Sequence, residues 1–396
     1  MWEEAAKIAL ELASALSDAI VSALKDDGAL PHWMKLTAGG LSLIAALFSA
    51  YYWGRRVFRE QVQKVFVDPE TFWSKPASAA DRRDYQRRID ASIPAIAIAN
   101  YKGGVGKSMI AANLAAYYDK IGYRCLLIDY DYQGSLTDIV PYRNRNELTF
   151  SAHDVLKGEQ QVRKPDELGR SFRGSAIHPA ESELSSLDSE LMFTFLMGSS
   201  NGDVRFNTRA YLSSAYVRDN FDIAIIDTPP RICTATANAL CAATRVVMPT
   251  ILDTVSSRAV FRSVEMFLNF RDRLGLGFKI FGVVPSKVET ATGYNNRESQ
   301  ALAYLKDELH WKYKDRVNQY SRRAEPIPVW DDLPIMHKVG LLHIEGDDMV
   351  IFKNNPTQGE AVIQSMFAKL GNAILEDVGL LKMPPPSEPH ENIRAA

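Results

Sequence analysis

The segment Asn100-Tyr101-Lys102-Gly103-Gly104-Val105-Gly106-Lys107-Ser108 constrains this chain more than any other. An apolar run, Ile93 to Ala99, precedes it and reads as a buried strand. Met109 to Tyr118 follows and reads as a helix. A strand, a glycine-rich turn and a helix N-terminus form a cradle for phosphate, because backbone N–H groups converge where no side chain blocks their approach. Gly103, Gly104, Val105, Gly106, Lys107, Ser108 and Met109 are the expected nucleotide contacts. In such a loop the lysine, Lys107, reaches the β- and γ-phosphates, and Ser108 ligates Mg²⁺. The pattern predicts a doubly wound α/β domain with a mostly parallel sheet, its loop at the carboxyl ends of the strands.

The ordinary phosphate loop carries glycine six residues before its lysine, and Tyr101 stands there instead. A second lysine, Lys102, opens the loop. Lys102-Gly-Gly-Val-Gly-Lys-Ser resembles the deviant Walker A motif of the ParA/MinD family. Two further segments fit that resemblance. Cys125-Leu-Leu-Ile-Asp-Tyr-Asp-Tyr-Gln-Gly-Ser135 is similar to the family's second motif. Phe221-Asp-Ile-Ala-Ile-Ile-Asp-Thr-Pro-Pro230 resembles its Walker B strand. The likeness runs from about Ile93 to about Leu375.

The resemblance implies roles residue by residue. Lys102 contacts the nucleotide of a second subunit, so that two ATP molecules lie sandwiched in a homodimer. Asp131 positions the attacking water, Asp129 sits close to the Mg²⁺ shell, and Asp227 orients Mg²⁺ through water. Pro249, in the strand Arg245 to Thr250, matches the nucleotide-adjacent loop. The strand from Phe278 ends in Pro285-Ser286-Lys287, without the asparagine that family members often use to read adenine. Adenine stays the expected base on the resemblance alone. Arg322 and Arg323 fall where some relatives bind DNA, although a solvated arginine pair explains them as well.

Composition narrows the partners. A net charge of −2 over 396 residues argues against a chain whose main affinity is for nucleic-acid phosphates. The three cysteines, Cys125, Cys233 and Cys241, form no CxxC pair, which fits a reduced compartment and speaks against a bridging zinc or iron–sulfur site.

The first ninety residues are unusual for this family. Residues 1–35 read as an amphipathic helix, with Lys7, Glu11, Ser14, Asp18 and Lys25 on one stripe. Such a helix lies on a membrane or pairs with copies of itself. Residues 36–54 carry no charge and would span about 28 Å as a helix, near a hydrocarbon core of about 30 Å. Trp33 precedes the stretch; Tyr51, Tyr52 and Trp53 end it, and Arg55, Arg56, Arg59 and Lys64 follow. That pattern predicts a transmembrane helix with the ATPase facing the cytoplasm. Its six large apolar side chains favour insertion by only roughly 2–4 kcal/mol, so a buried helix on a partner is the alternative. Residues 55–92 read as a charged stalk, 93–382 as the ATPase domain, and 383–396 as a disordered tail.

The leading expectation is a membrane-anchored, ATP-dependent dimerisation switch at the cytoplasmic face of the inner membrane, with membrane lipid and an activating protein as partners. The first alternative is a cytoplasmic partition ATPase, for which DNA is the partner. A second is a bacterial tyrosine-kinase-like enzyme. It is disfavoured because no tyrosine occurs after Tyr320 and because such kinases lack the Lys-Gly-Gly start.

Overall fold

The computed structural model describes residues 49, 51–57, 59, 60, 63 and 68–380, without 143–149, 159–163, 170, 182, 198–201, 290–292, 319–322, 325 and 337–348. The chain divides into two compact units, residues 1–72 and 73–396. In the first unit residues 51–57 are helical, and Tyr51, Tyr52 and Trp53 are all exposed. The expected helix over 1–35, most of the expected span over 36–54 and the expected tail over 383–396 lie outside the described residues. No helix among the described residues is long and apolar enough to cross a membrane.

The second unit is built on the phosphate-loop strand. β1 (Ala95–Ile98) is buried at every position. β2 (Cys125–Asp129) and β5 (Ile223–Asp227) are also buried throughout. Strands covered on both faces read as continuous apolar runs rather than as alternating ones, which is the pattern of a central parallel sheet. With β3 (Asp166–Glu167), β4 (Ala176–His178), β6 (Arg245–Thr250), β7 (Lys279–Val288) and β8 (Ile335–Met336), the sheet has eight strands in the order β8-β7-β6-β1-β5-β2-β4-β3. Every pairing is parallel except β3 with β4. β1 thus lies between β5 and β6, and the loop leaving its carboxyl end opens where neighbouring connections part in opposite directions.

The helices cover both faces: α1 (Ala79–Ile89), α2 (Lys107–Lys120), α3 (Ser135–Ile139), α4 (Leu184–Met197), α5 (Asn207–Leu212), α6 (Thr234–Ala242), α7 (Thr254–Leu274), α8 (Asn296–Tyr313) and α9 (Gln358–Asp377). α2 is buried almost all round because α9 crosses its outer face. That crossing needs glycine: a Cβ on Gly371 would stand 2.4 Å from Cδ1 of Tyr117. The Tyr117 hydroxyl meets Asn372 Oδ1 at 2.8 Å beside it.

Two parts of this unit differ from the sequence expectation. The unit begins at Trp73, so residues 73–92 belong with the nucleotide-binding fold. α1 is charged on most of its surface, but one aromatic fixes it: Tyr85 is buried against Phe206, with its ring 5.2 Å away. The chain from Pro141 to Asn220, whose sequence carries several short helical patterns and no clear strand, also extends the sheet through β3 and β4. Two- and three-residue strands are too short to show a period in sequence.

Candidate nucleotide site

Strand register brings the expected site residues together. Asp129 and Asp227 are direct partners at the last position of β2 and β5, and Ile98 of β1 also pairs with Asp227. Both carboxylates therefore stand at the foot of the phosphate loop. Gly104 and Gly106 take positive φ values of 71° and 86°, where a side chain would be strained. Gly106 then caps α2, whose first residues are Lys107 and Ser108. Val105 and Met109 are buried beneath the loop.

Asp227 is fully buried, and neither of its carboxylate oxygens has a hydrogen bond of good geometry. Burial raises its pKa well above the usual carboxylate range, with Asp129 adding to the shift. The Ser108 hydroxyl and Lys107 lie close enough to oppose it. A buried carboxylate without donors is costly unless a cation or water completes it. Mg²⁺ at a phosphate site takes one or two protein oxygens and fills its shell with phosphate and water. Ser108 and Asp227 fit that demand. Among the described residues no three His, Cys, Asp or Glu side chains gather into a metal cage.

Lys107 is buried, and its Nζ lies 3.4 Å from the Lys102 carbonyl. Desolvation lowers its pKa, while the charges of Asp227 and Asp131 pull it back. The ammonium is therefore held with few solvent contacts, ready for anionic oxygens. Asp129 differs from Asp227. Its Oδ2 accepts from the Thr137 N–H and hydroxyl, both at 2.8 Å, and its Oδ1 from Asp131 N at 3.1 Å. Burial still pushes its pKa up to about 7. Those bonds tie it to α3 and hold it beside Asp227. Asp131 Oδ1 accepts from Gln133 N at 3.1 Å, which points this carboxylate along the loop.

The loop's entrance is pinned by residues that the motif does not name. Asn100, 1% exposed, donates to the Pro249 carbonyl at 2.8 Å and accepts from Lys102 N at 3.0 Å. Pro249 thus supports the loop through its carbonyl. At this point β6 has run past β1, so the absent N–H of proline costs no bond on that side. Ser286, at the end of β7, donates to the Val105 carbonyl at 2.7 Å. Lys287 follows it with φ 56°, the single non-glycine residue at positive φ among those described. Lys102 Nζ donates to Ser256 Oγ and, at 3.3 Å, to Asp253 Oδ2. Asp253 also caps α7 by accepting from Ser256 N at 2.7 Å. The lysine expected to serve a second subunit is held within its own chain. An Asp-x-x-Ser step before a helix was the available signal for this contact. Arg322 and the side chain of Arg323 lie outside the described residues.

Comparison with known proteins agrees with this geometry. A family model described as an AAA domain matches residues 93–279. The chain is 33% identical over 184 residues to a putative replication protein A of Sinorhizobium fredii, covering 45% of each protein. It is 28% identical over 224 residues to the chromosome-partitioning ATPase Soj of Thermus thermophilus, covering 56% of this chain and 81% of Soj. It spans about half the length of the first curated relatives it matches, 45% and 56%. Among solved structures, a Cyanothece McdA variant in complex with ATP superposes with a TM-score of 0.55 at 18% identity, over 74% of this chain and 99% of that one; this likeness shows the fold. With the deviant loop, the paired aspartates at the ends of β2 and β5, and these relatives, the chain belongs to the ParA/MinD-type P-loop ATPases.

Proposed function

We propose that this protein is an ATP-hydrolysing dimerisation switch of the partition type, whose nucleotide state governs attachment to a DNA-borne cargo. The observation that carries the proposal is Asp227, a fully buried carboxylate with no hydrogen bond of good geometry, directly beside Ser108 and Lys107. Backbone N–H groups from Gly103 to Ser108 would bind the phosphates, and Lys107 would neutralise the β- and γ-oxygens. Ser108 and Asp227 would hold Mg²⁺, which would supply positive charge against the charge that develops on the phosphates. Asp131 would orient the attacking water. Lys102 would leave Asp253 and Ser256 to reach the nucleotide of a second copy, where a charge supplied in trans can contribute about 10³–10⁵ in rate.

Relatives named for chromosome partitioning, from Thermus thermophilus and Caulobacter vibrioides, support DNA rather than lipid as the surface. Attachment of a nearly neutral chain to DNA rests on a local basic face formed in the dimer, so it depends on both ATP and salt.

The test combines phosphate release with light-scattering mass in ATP, ADP and no nucleotide. Dimer only in ATP, loss of dimer in Lys102→Ala with ATP binding retained, and loss of binding in Lys107→Ala are expected. DNA retention that is ATP-dependent and falls steeply with salt completes the expectation. A chain that stays monomeric in ATP, or binds lipid vesicles but not DNA, overturns it.

A further inference from the structure

Asp131 lies in the loop after β2 and Asp227 ends β5, and one side chain from the loop after β5, Arg231, joins the two loops. The Arg231 guanidinium lies 5.6 Å from the ring centroid of Tyr132, the residue next to Asp131. Its Nη1 also lies 3.4 Å from Asp188 Oδ2 on α4. Asp188 Oδ1 accepts from Thr234 N at 2.8 Å, at the first turn of α6. The Arg231 carbonyl accepts from the Thr236 hydroxyl at 2.6 Å, which holds the arginine's own backbone against the same helix.

The space beneath this bridge is closed. Tyr130, Tyr132, Asp188, Pro229, Arg231 and Cys233 are among the residues lining a cavity of about 10 Å³, room for no more than one water. The arrangement is therefore not a ligand site. It is a strut, and its ends sit where hydrolysis is expected. Tyr132 lies between Asp131 and Gln133, whose N–H holds the Asp131 carboxylate. Arg231 comes four residues after Asp227. Both Tyr132 and Arg231 are near half-exposed, so the strut can form and break without disturbing the core.

We infer that Arg231 is a positioning residue for hydrolysis: through Tyr132 it fixes the loop of Asp131 relative to Asp227, and through Asp188 it ties both loops to α4. This rests on the proposed ATPase reading. α4 then becomes the element through which hydrolysis can be adjusted. A cation over an aromatic face at a partly exposed site contributes little to stability, so the effect falls on the alignment of Asp131 and not on the fold.

The experiment uses the full chain with Arg231→Ala, Tyr132→Leu, the double variant and Tyr132→Phe. Phosphate release gives kcat, and a fluorescent ATP analogue gives affinity independently. Arg231→Ala and Tyr132→Leu are expected to lower kcat by about three- to tenfold, with affinity within about twofold. The double variant is expected to be no worse than either single one, because both remove the same contact. Tyr132→Phe, which keeps the ring, restores at least half of wild-type kcat. Unchanged kcat, affinity falling in step with kcat, or additive losses would overturn the inference while leaving the ATPase reading intact. A wild-type chain that binds ATP but releases no phosphate would sink the ATPase reading, and this inference with it.

Discussion

Arg205 and Asp227 are equally sheltered from water, at 1% and 0% exposed, yet their surroundings are opposite. Arg205 lies on the flank next to α1. Its Nε donates to Asp203 at 2.8 Å, its Nη1 to the carbonyls of Trp73 and Lys75 at 2.7 and 2.6 Å, and its Nη2 to Asp203 again. Its guanidinium also stacks on Phe195, 4.5 Å from the ring centroid. Asp227 has none of this. Burying a charge costs several kcal/mol unless partners compensate. On the flank the chain supplies the partners, and the result is a joint. At Asp227 only Ser108 and Lys107 stand close, and in the proposed function a cation completes the site. Satisfaction, rather than burial, separates structural charge from functional charge here.

The widest gap between the two regions should appear in stability. Arg205→Ala strands Asp203 and frees two carbonyls, so unfolding in urea should show a loss of about 3–5 kcal/mol. Replacing both partners with Arg205→Met and Asp203→Leu should recover most of it, because no unpaired charge remains. Full destabilisation in the double variant would break the comparison.

His178 sharpens it on the flank side. Its ring nitrogens meet the Phe150 carbonyl at 2.6 Å and the Tyr211 hydroxyl at 2.7 Å, and burial pushes its pKa down to about 4. The unfolded chain takes up this proton near pH 6.5 and the folded chain only near 4. Stability is therefore complete above pH 6.5 and falls as pH drops toward 4, by about 3 kcal/mol at most. In His178→Gln that part of the slope in melting temperature against pH should vanish; an unchanged slope would reassign it to carboxylates.

Asp227→Asn should act in the opposite sense to Arg205→Ala. Replacing a carboxyl whose charged form burial disfavours should leave the nucleotide-free protein as stable or more stable, by about 1–3 kcal/mol, while phosphate release falls at least about 10²-fold. A destabilised Asn variant would mean that Asp227 has a structural partner. The smallest effect belongs to Asp253→Asn. Its contact with Lys102 is partly exposed and contributes less than about 1 kcal/mol, so releasing the lysine should tighten the ATP-bound dimer by no more than about fivefold in light scattering.

The nucleotide pole was legible because its chemistry is local. The loop, its two lysines and the runs ending in Asp129 and Asp227 each lie within a few consecutive residues. The Arg245 to Thr250 strand was placed at its observed bounds for the same reason. What escaped was non-local. Tyr85 packs on Phe206, and Arg205 reaches Phe195, Trp73 and Lys75, groups brought together from separate segments. No spacing rule in a charged stretch such as 79–89 marks one tyrosine as an anchor.

The sequence by itself determined the doubly wound frame and the phosphate cradle, because strand period, glycine placement and lysine position follow from short-range geometry. Only the tertiary structure decided that Asp129 is committed to Thr137 while Asp227 has no hydrogen bond of good geometry, that Lys102 is tethered to Asp253 and Ser256, and that Arg231 joins the loops after β2 and β5. Each depends on groups eight or more residues apart meeting across strand ends. A chain's residue types state what each group can bond to; only packing states which of those bonds are made.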